Sequence, residues 1–312
     1  QRSSYNSICA CVNFTFSAIA FEGPNHDDVM LFSGASGCGK TRLAEAIAHA
    51  IADDPLDETA WKKIACSHTN TLTEVFGLGG AYVGSEIGSP LNNFISGRNG
   101  RPGVVILDEF EKLESKAQLG FLEPWSTGTW ISKKLAGAFT SECDCSKIVF
   151  VLTVNTKLPE GDNDDLIAAL PFKDEIKGRI THAARFPDFS DHDIELLAAS
   201  ELALMQRNFH VGTGEGKIRD YTWRFGALDE HTAKGFVASI GKIKDLAKTL
   251  GCRPIKNKAH AAIADIVIDA LMRVSKKKLT EKKPKALLDI CYRAKGNGAP
   301  GKLVLKGVKH PK

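Results

Sequence analysis

Short, continuous apolar runs separated by amphipathic helical patterns characterise residues 29–189. The runs are Val29–Phe32, Lys63–Cys66, Val104–Leu107, Ile148–Val154 and Thr181–Phe186. Strands that are apolar throughout, rather than at alternate positions, are typical of a parallel sheet with helices on both faces. The pattern therefore predicts an α/β domain with a buried parallel sheet over residues 29–189.

A different pattern begins at residue 190. Asp191–Asn208 has the period of one long amphipathic helix, with Ser190 or Asp191 as its N-terminal cap. Further helices are predicted at about 229–241, 241–250 and 254–274. Gly301–Gly307 has the pattern of a small terminal strand. We therefore expect a smaller, mostly helical subdomain with a terminal strand over residues 190–312.

Residues 1–28 form a lead-in to the predicted α/β domain. Residues 8–21 are apolar enough to resemble the hydrophobic part of a signal peptide. However, the polar residues Asn13, Thr15 and Ser17 alternate with apolar neighbours, which favours a strand or irregular segment. No stretch of the sequence reaches the length of a membrane-spanning helix, so we expect no membrane partner.

Cysteine spacing indicates the compartment of the protein, and the distribution of charge indicates its candidate partners. The eight cysteines contain no Cys-x-x-Cys pair, which favours reduced thiols and a cytoplasmic or organelle-matrix location. From Arg253 onward there are sixteen Lys/Arg against four Asp/Glu, which leaves 25 against 33 in the rest of the chain. The basic run at residues 276–285 could contact nucleic acid or an acidic partner, or could be a solvated helix end.

Residues 34–41 carry a complete phosphate-loop pattern, G-x-x-x-x-G-K-[ST], between the first strand and an Ala-rich helix. The loop consists of Gly34, Ala35, Ser36, Gly37, Cys38, Gly39, Lys40 and Thr41. Backbone N–H groups at such a helix start can cradle the phosphates of a nucleotide. Lys40 then supplies a cation and Thr41 a Mg²⁺ ligand, so the sequence predicts nucleotide binding.

Two acids and an amide follow buried strands. Asp108 and Glu109 end an aliphatic strand, where Asp108 can hold Mg²⁺ through water and Glu109 can accept a proton from the attacking water. Asn155 ends the next buried strand. It could orient the hydrolytic water or sense the γ-phosphate, or it could serve only the chemistry of a turn.

The order of these motifs resembles the AAA+ ATPases, and most closely the second ATPase ring of the Clp-type unfoldases and disaggregases. Residues 77–86, with Tyr82 and Val83, look like the family's Gly-Tyr-Val-Gly pore loop, with Ala81 in place of the first Gly. Residues 107–112 are similar to its Walker B segment and residues 170–180 to the segment that ends in the arginine finger. Residues 250–256 resemble its sensor 2 motif.

The resemblance, over roughly residues 29–270, implies a mechanism and a partner class. It places Lys40, Thr41, Asp108, Glu109 and Asn155 around ATP and Mg²⁺ in one subunit. It implies that Arg253 reaches the γ-phosphate from the small subdomain and that Arg179 enters the site of a neighbouring subunit, with Arg185 as the competing candidate. It further implies a hexameric homo-oligomeric ring that hydrolyses ATP.

The resemblance also implies that the Tyr82 pore loop grips an unfolded or partner protein. A buried Tyr in a glycine-rich turn is the alternative for this residue. An ATP-driven nucleic-acid motor or loader that uses the Lys-rich region is an alternative function. A scaffold that binds nucleotide with little turnover is another. Residues 1–28 lack the family's recognisable adenine-contacting stretch, which leaves the base specificity open.

Overall fold

A computed structural model describes residues 28–51, 59–77, 88–132, 141–211, 222–225, 235–238, 241–273, 285–293 and 302–309. Contacts between residues divide the chain into two compact units, the first ending at Pro187 and the second beginning at Asp188. Each unit is described by itself below.

A five-stranded parallel sheet forms the centre of the first unit. Its strands are β1 (Val29–Ser33), β2 (Trp61–Ala65), β3 (Gly103–Asp108), β6 (Ile148–Val154) and β7 (His182–Arg185), in the order β2-β3-β6-β1-β7. The α/β class and the parallel sheet predicted from the sequence are confirmed.

Both faces of this sheet are covered. Val105 and Leu107 of β3 belong to one apolar core, whereas Val104 and Ile106 of the same strand belong to another. Successive side chains of a strand point to opposite faces, so a strand buried on both sides must be apolar throughout. This requirement explains the continuous apolar runs in the sequence.

Seven helices and a hairpin are described in the first unit. The helices are α1 (Lys40–Ile51), α2 (Leu72–Phe76), α3 (Pro90–Arg98), α4 (Ser115–Leu119), α5 (Leu122–Thr127), α6 (Asn163–Ala168) and α7 (Asp174–Lys177). A 3₁₀ turn, Phe110–Lys112, follows β3. Strands β4 (Thr129–Ser132) and β5 (Ser141–Asp144) pair antiparallel in a hairpin that the sequence pattern did not predict.

An aromatic side chain of this hairpin packs against the core on one face of the sheet. Trp130 of β4 stacks on Phe76, with ring centroids 4.9 Å apart, and its indole N–H donates to Asn92 Oδ1 at 3.0 Å. Phe121 contacts both of these rings and also Phe150 of β6. The hairpin and the end of α2 are therefore packed against the same core as the central strands.

The second unit combines helices with a small sheet. Its long helices are α8 (Asp191–Val211), α9 (Gly241–Leu250) and α10 (Arg253–Arg273). Strands β8 (Thr222–Phe225), β9 (Lys285–Arg293) and β10 (Lys302–Lys309) form a sheet in the order β10-β9-β8, and α10 packs against α8 and β10. Among the helices of the described ranges, none has the combined length and apolar character that a bilayer crossing requires.

The sequence patterns located these helices within a few residues. The helix predicted at 191–208 ends at residue 211, and the one predicted at 254–274 spans 253–273. Residues 235–238 are helical, and most of the remaining helix predicted at 229–241 lies outside the described residues. The terminal strand is present, but β8 and β9 were not predicted, because short apolar runs do not separate strand from helix.

Candidate nucleotide site

The loop between β1 and α1 approaches its surroundings closely. Gly34 has φ +148°, and a Cβ atom there would lie 2.6 Å from the carbonyl oxygen of Phe186. Gly39, just before α1, has φ +105°, a conformation that residues with a side chain rarely adopt. The glycines of the motif are therefore required by the path of the backbone, which turns from the end of β1 into the first turn of α1.

Lys40 extends its side chain back over this loop. The residue is only 5% exposed, and its Nζ donates to the carbonyl oxygens of Gly34 at 2.7 Å and Ala35 at 2.8 Å. A third hydrogen bond, 3.1 Å long, goes to Oδ1 of Asn155. These three acceptors are neutral, and the sulfur of Cys38 lies 3.9 Å from the same Nζ. An anionic phosphate oxygen would form a stronger, charge-assisted bond with the same ammonium group.

Asp108 lies beside Thr41 at the end of β3. Its Oδ1 accepts hydrogen bonds from Thr41 Oγ1 at 2.9 Å and Thr153 Oγ1 at 2.6 Å, and its Oδ2 lies 3.3 Å from Lys63 Nζ. Burial is the largest single influence and favours the protonated acid, but the two hydroxyl donors and the Lys63 charge together lower the pKa of Asp108 below its ordinary value. Asp108 is therefore a carboxylate at neutral pH.

Glu109 directly follows β3, and its backbone adopts the left-handed helical conformation, with φ 61° and ψ 49°. Its backbone N–H donates to Thr153 Oγ1 at 3.1 Å, and its Oε1 accepts from the side-chain amide of Asn155 at 2.9 Å. Asn155 therefore bridges Glu109 and Lys40, with its NH₂ toward the carboxylate and its oxygen toward the ammonium group. The backbone N–H of Asn155 donates in turn to Glu111 Oε1 at 3.1 Å.

The structure thus brings five of the residues selected from the sequence into one hydrogen-bonded group, whose two halves are joined through Thr153: Lys40, Thr41, Asp108, Glu109 and Asn155. Three neighbours were missed: Lys63, Thr153 and Glu111. Thr153 lies two residues before Asn155, a spacing that puts both side chains on one face of a strand and could have identified it. Lys63 and Glu111 carry no comparable signal in the sequence.

The two candidate finger arginines differ in their surroundings. Arg179 is exposed after α7, and its Nε donates to Ser126 Oγ at 2.8 Å. Arg185 forms an ion pair with Glu160 at 2.9 Å. Arg253 is exposed at the first position of α10, in the second unit. Tyr82, Val83 and the Lys-rich residues 276–278 lie outside the described residues.

The side-chain oxygens of Thr41 and Asp108 are suitable ligands for Mg²⁺. This ion prefers oxygen ligands, and in nucleotide sites it takes one or two from the protein and the rest from phosphates and water. Within the described ranges there is no group of three or more His, Cys, Asp or Glu side chains that could hold a metal ion.

The described free cysteines include Cys38 in the loop, and burial raises the pKa of its thiol.

Comparison with known proteins finds a match to one family model in this part of the chain. Residues 30–169 match the family model described as "ATPase family associated with various cellular activities (AAA)". The matched range contains the phosphate loop from residue 34 onward and also contains Asp108, Glu109 and Asn155.

Similar curated proteins include Lon protease 1 of Bdellovibrio bacteriovorus, which is 25% identical over 68% of this chain and 27% of that protein. The chaperone protein ClpB of Propionibacterium freudenreichii is 26% identical over 57% of this chain and 21% of that protein. The chain thus spans about a quarter of the length of these relatives.

Among solved structures, a closed-state reconstruction of Hsp104 with ATPyS and FITC casein is similar in fold. Its TM-score is 0.63 at 18% identity, covering 88% of this chain and 46% of that chain.

Removing the ammonium group of Lys40 tests the phosphate-binding role of the loop. We expect Lys40→Ala to weaken ATP binding by at least about 100-fold, equivalent to about 2.7 kcal/mol, because charge-assisted bonds to phosphate are lost. Titration with a fluorescent ATP analogue measures this. The matched control is Lys116→Ala, which removes an exposed lysine of α4 and should bind as the parent does. Equal affinity of the two variants would contradict the assignment.

Proposed function

We propose that this chain is the motor of a protein-remodelling ring and converts ATP and water into ADP and phosphate, because residues 30–169 match the model of the AAA ATPase family. The observation that carries the proposal is the bridge from Glu109 through Asn155 to Lys40, beside the Thr41–Asp108 pair. This arrangement joins a candidate base, a polar amide and a phosphate-binding cation in one site.

Each residue of the site has a role that its contacts support. Lys40 exchanges its carbonyl partners for the β- and γ-phosphates of ATP, since an anion is the better acceptor. Glu109 accepts a proton from the attacking water, and Asn155 orients that water or contacts the γ-phosphate. Thr41 would hold Mg²⁺ through its hydroxyl group and Asp108 through water, and the ion would supply positive charge next to the phosphates.

Arg179 is the better candidate for a finger that completes the site of a neighbouring subunit. It is exposed, and within the described part of the chain its contact with Ser126 engages Nε, one of the three guanidinium nitrogens. Arg185 instead has a carboxylate partner, Glu160, in its own subunit. A finger that acts in trans requires an oligomer, and we propose a hexameric ring by resemblance to Clp-type proteins. By the same resemblance, we propose that Arg253 contacts the γ-phosphate.

A mixing experiment tests hydrolysis and the shared site together. We expect Glu109→Gln to bind ATP normally and to slow turnover by about 10² to 10⁴-fold, the usual contribution of a positioned base. We expect Arg179→Ala to spare binding and to lower turnover by about 10³-fold, as for other arginine fingers. Mixed together, the two inactive variants should regain activity, because some interfaces then pair an intact base with an intact finger.

Arg185→Ala is the matched control for this experiment, because it removes an arginine that is paired on the surface of its own subunit. Its turnover should stay within about threefold of the parent, since exposed ion pairs contribute little. Loss of activity in Arg185→Ala, with full activity in Arg179→Ala, would transfer the finger role to Arg185. No recovery on mixing, together with a monomer in the presence of ATP, would rule out the shared site.

We also propose that Tyr82 and Val83 contact a protein substrate. The chain is anchored immediately before this segment, because Phe76 packs against Phe121 and Trp130. An aromatic side chain between glycines can contact an extended polypeptide of any sequence. The presence of casein in the similar Hsp104 structure supports a polypeptide as the cargo rather than nucleic acid.

Replacing Tyr82 distinguishes an unfolded protein from nucleic acid as the substrate. Tyr82→Ala should keep basal ATP hydrolysis within a few-fold of the parent but lose its stimulation by an unfolded protein such as casein. Tyr82→Phe retains the ring and should retain stimulation. If Tyr82 were instead a core residue, the truncation should lower the free energy of unfolding by about 3 kcal/mol or more, which a thermal melt detects.

Stimulation by DNA or RNA, combined with indifference to unfolded protein, would contradict the remodelling role. Neutralising Lys276, Lys277 and Lys278 should then reduce the salt dependence of that stimulation, because fewer phosphate contacts release fewer counterions.

A further inference from the structure

A buried hydroxyl group connects the two acidic residues of the site. Thr153 lies in β6 and is 1% exposed. Its Oγ1 donates to Asp108 Oδ1 at 2.6 Å and accepts from the backbone N–H of Glu109 at 3.1 Å. One oxygen atom is therefore bonded both to the side chain of the first acid and to the backbone of the second.

The strand geometry explains why a side chain takes this place. The pairing of β3 with β6 runs to Leu107 opposite Leu152, and Thr153 is the next residue of β6. Glu109 adopts a left-handed conformation just beyond β3, which carries its backbone away from the strand. The Glu109 N–H then finds its acceptor in the Thr153 hydroxyl rather than in a backbone carbonyl group.

The same hydroxyl restricts the carboxylate of Asp108. Oδ1 receives the hydroxyl groups of Thr153 from β6 and Thr41 from α1, which leaves Oδ2 beside Lys63. Two donors from different elements define one orientation of the carboxylate plane. A rotation of Asp108 would break both bonds, and the loss of the Thr153 bond would also release the hydroxyl that holds Glu109.

We propose that Thr153 is a positioning residue for ATP hydrolysis, which holds the Asp108 carboxylate and the Glu109 backbone in a fixed mutual arrangement. The proposal rests on the function proposed above. The hydrogen bonds of the Thr153 hydroxyl go to Asp108 and Glu109. It acts through Asp108, which sets the place of Mg²⁺, and through Glu109, whose carboxylate must lie at the attacking water. Displacing such groups by about 1 Å is enough to reduce turnover by about 100-fold.

Thr153→Val tests this role, because valine keeps the branched shape and removes only the hydroxyl group. We expect kcat to fall about 10- to 100-fold with little change in the KM for ATP, because the phosphate-binding loop stays intact. Thr153→Ser restores the hydroxyl and should bring kcat back to within about threefold of the parent. Thr153→Ala is assayed in the same way in case the valine variant does not fold.

Thr181→Val is the matched control. Thr181 Oγ1 also makes two hydrogen bonds in the same sheet, accepting from the Val29 N–H at 3.1 Å and donating to the Val29 carbonyl oxygen at 3.0 Å. These bonds lie at the start of β1, whereas the phosphate loop follows the end of that strand. A purely structural effect of losing a hydroxyl group would therefore appear in both variants, whereas the loss of kcat should appear only at Thr153.

A second measurement does not depend on turnover. Binding of a fluorescent ATP analogue is titrated at increasing Mg²⁺ concentrations, and half-maximal enhancement should require several-fold more Mg²⁺ in Thr153→Val than in the parent. Affinity without Mg²⁺ should be equal, since Lys40 and the loop are unchanged. Thr181→Val should match the parent under both conditions.

The outcomes separate this proposal from the proposed function. If the parent hydrolyses ATP, Glu109→Gln does not, and Thr153→Val equals Thr181→Val in kcat and Mg²⁺ dependence, the positioning role is overturned. If the parent itself shows no ATP hydrolysis, the proposed function fails, and the Mg²⁺ titration alone decides the role of Thr153.

Discussion

Three parallel strands, β1, β3 and β6, end at one edge of the sheet, and the whole site depends on this constraint. The strand register places the carboxyl ends of the three strands side by side, because Ser33 of β1 pairs with Val154 of β6 and Leu107 of β3 pairs with Leu152 of β6. The residues that follow these strands therefore meet: the phosphate loop after β1, Glu109 after β3 and Asn155 after β6. The apolar cores on both faces hold the strands in this register.

The polar side chains around Lys40 at this edge bond to one another. Lys40 is nearly buried and bonds to two backbone carbonyl groups and Asn155, while Asn155 bonds to Glu109. An unpaired ammonium group would be costly in such a place, and neutral acceptors remove that cost while remaining weaker partners than phosphate. Lys40 can therefore gain free energy by exchanging these neutral partners for phosphate oxygens.

Local patterns were sufficient to predict the sheet and the acidic strand end. The phosphate loop is defined by consecutive residues, and Asp108 and Glu109 directly follow an aliphatic run. For Asn155 the sequence left turn chemistry as an alternative, and the structure shows its side chain bonded to both Lys40 and Glu109. The choice between Arg179 and Arg185 depended on Ser126 and Glu160, residues distant in sequence whose contacts only the fold reveals.

The features that could not be predicted also depend on contacts between residues distant in sequence. Thr153 acts across two strands, and its bond to the Glu109 backbone exists only because Glu109 adopts a left-handed conformation. The hairpin of β4 and β5 is stabilised by Trp130 packing on Phe76, a contact between residues far apart in the chain. Periodicity describes which face of an element is apolar, but it does not state which residues of two elements meet.

The most direct test is a high-resolution structure of the protein with Mg²⁺ and a non-hydrolysable ATP analogue. The account predicts that Lys40 Nζ leaves Asn155 and the loop carbonyl groups and lies within hydrogen-bond distance of the β- and γ-phosphate oxygens. Thr41 and Asp108 should flank the metal ion, and Glu109 should lie on the far side of the γ-phosphate. A nucleotide bound away from residues 34–41, with Lys40 still bonded to Gly34 and Ala35, would contradict the account.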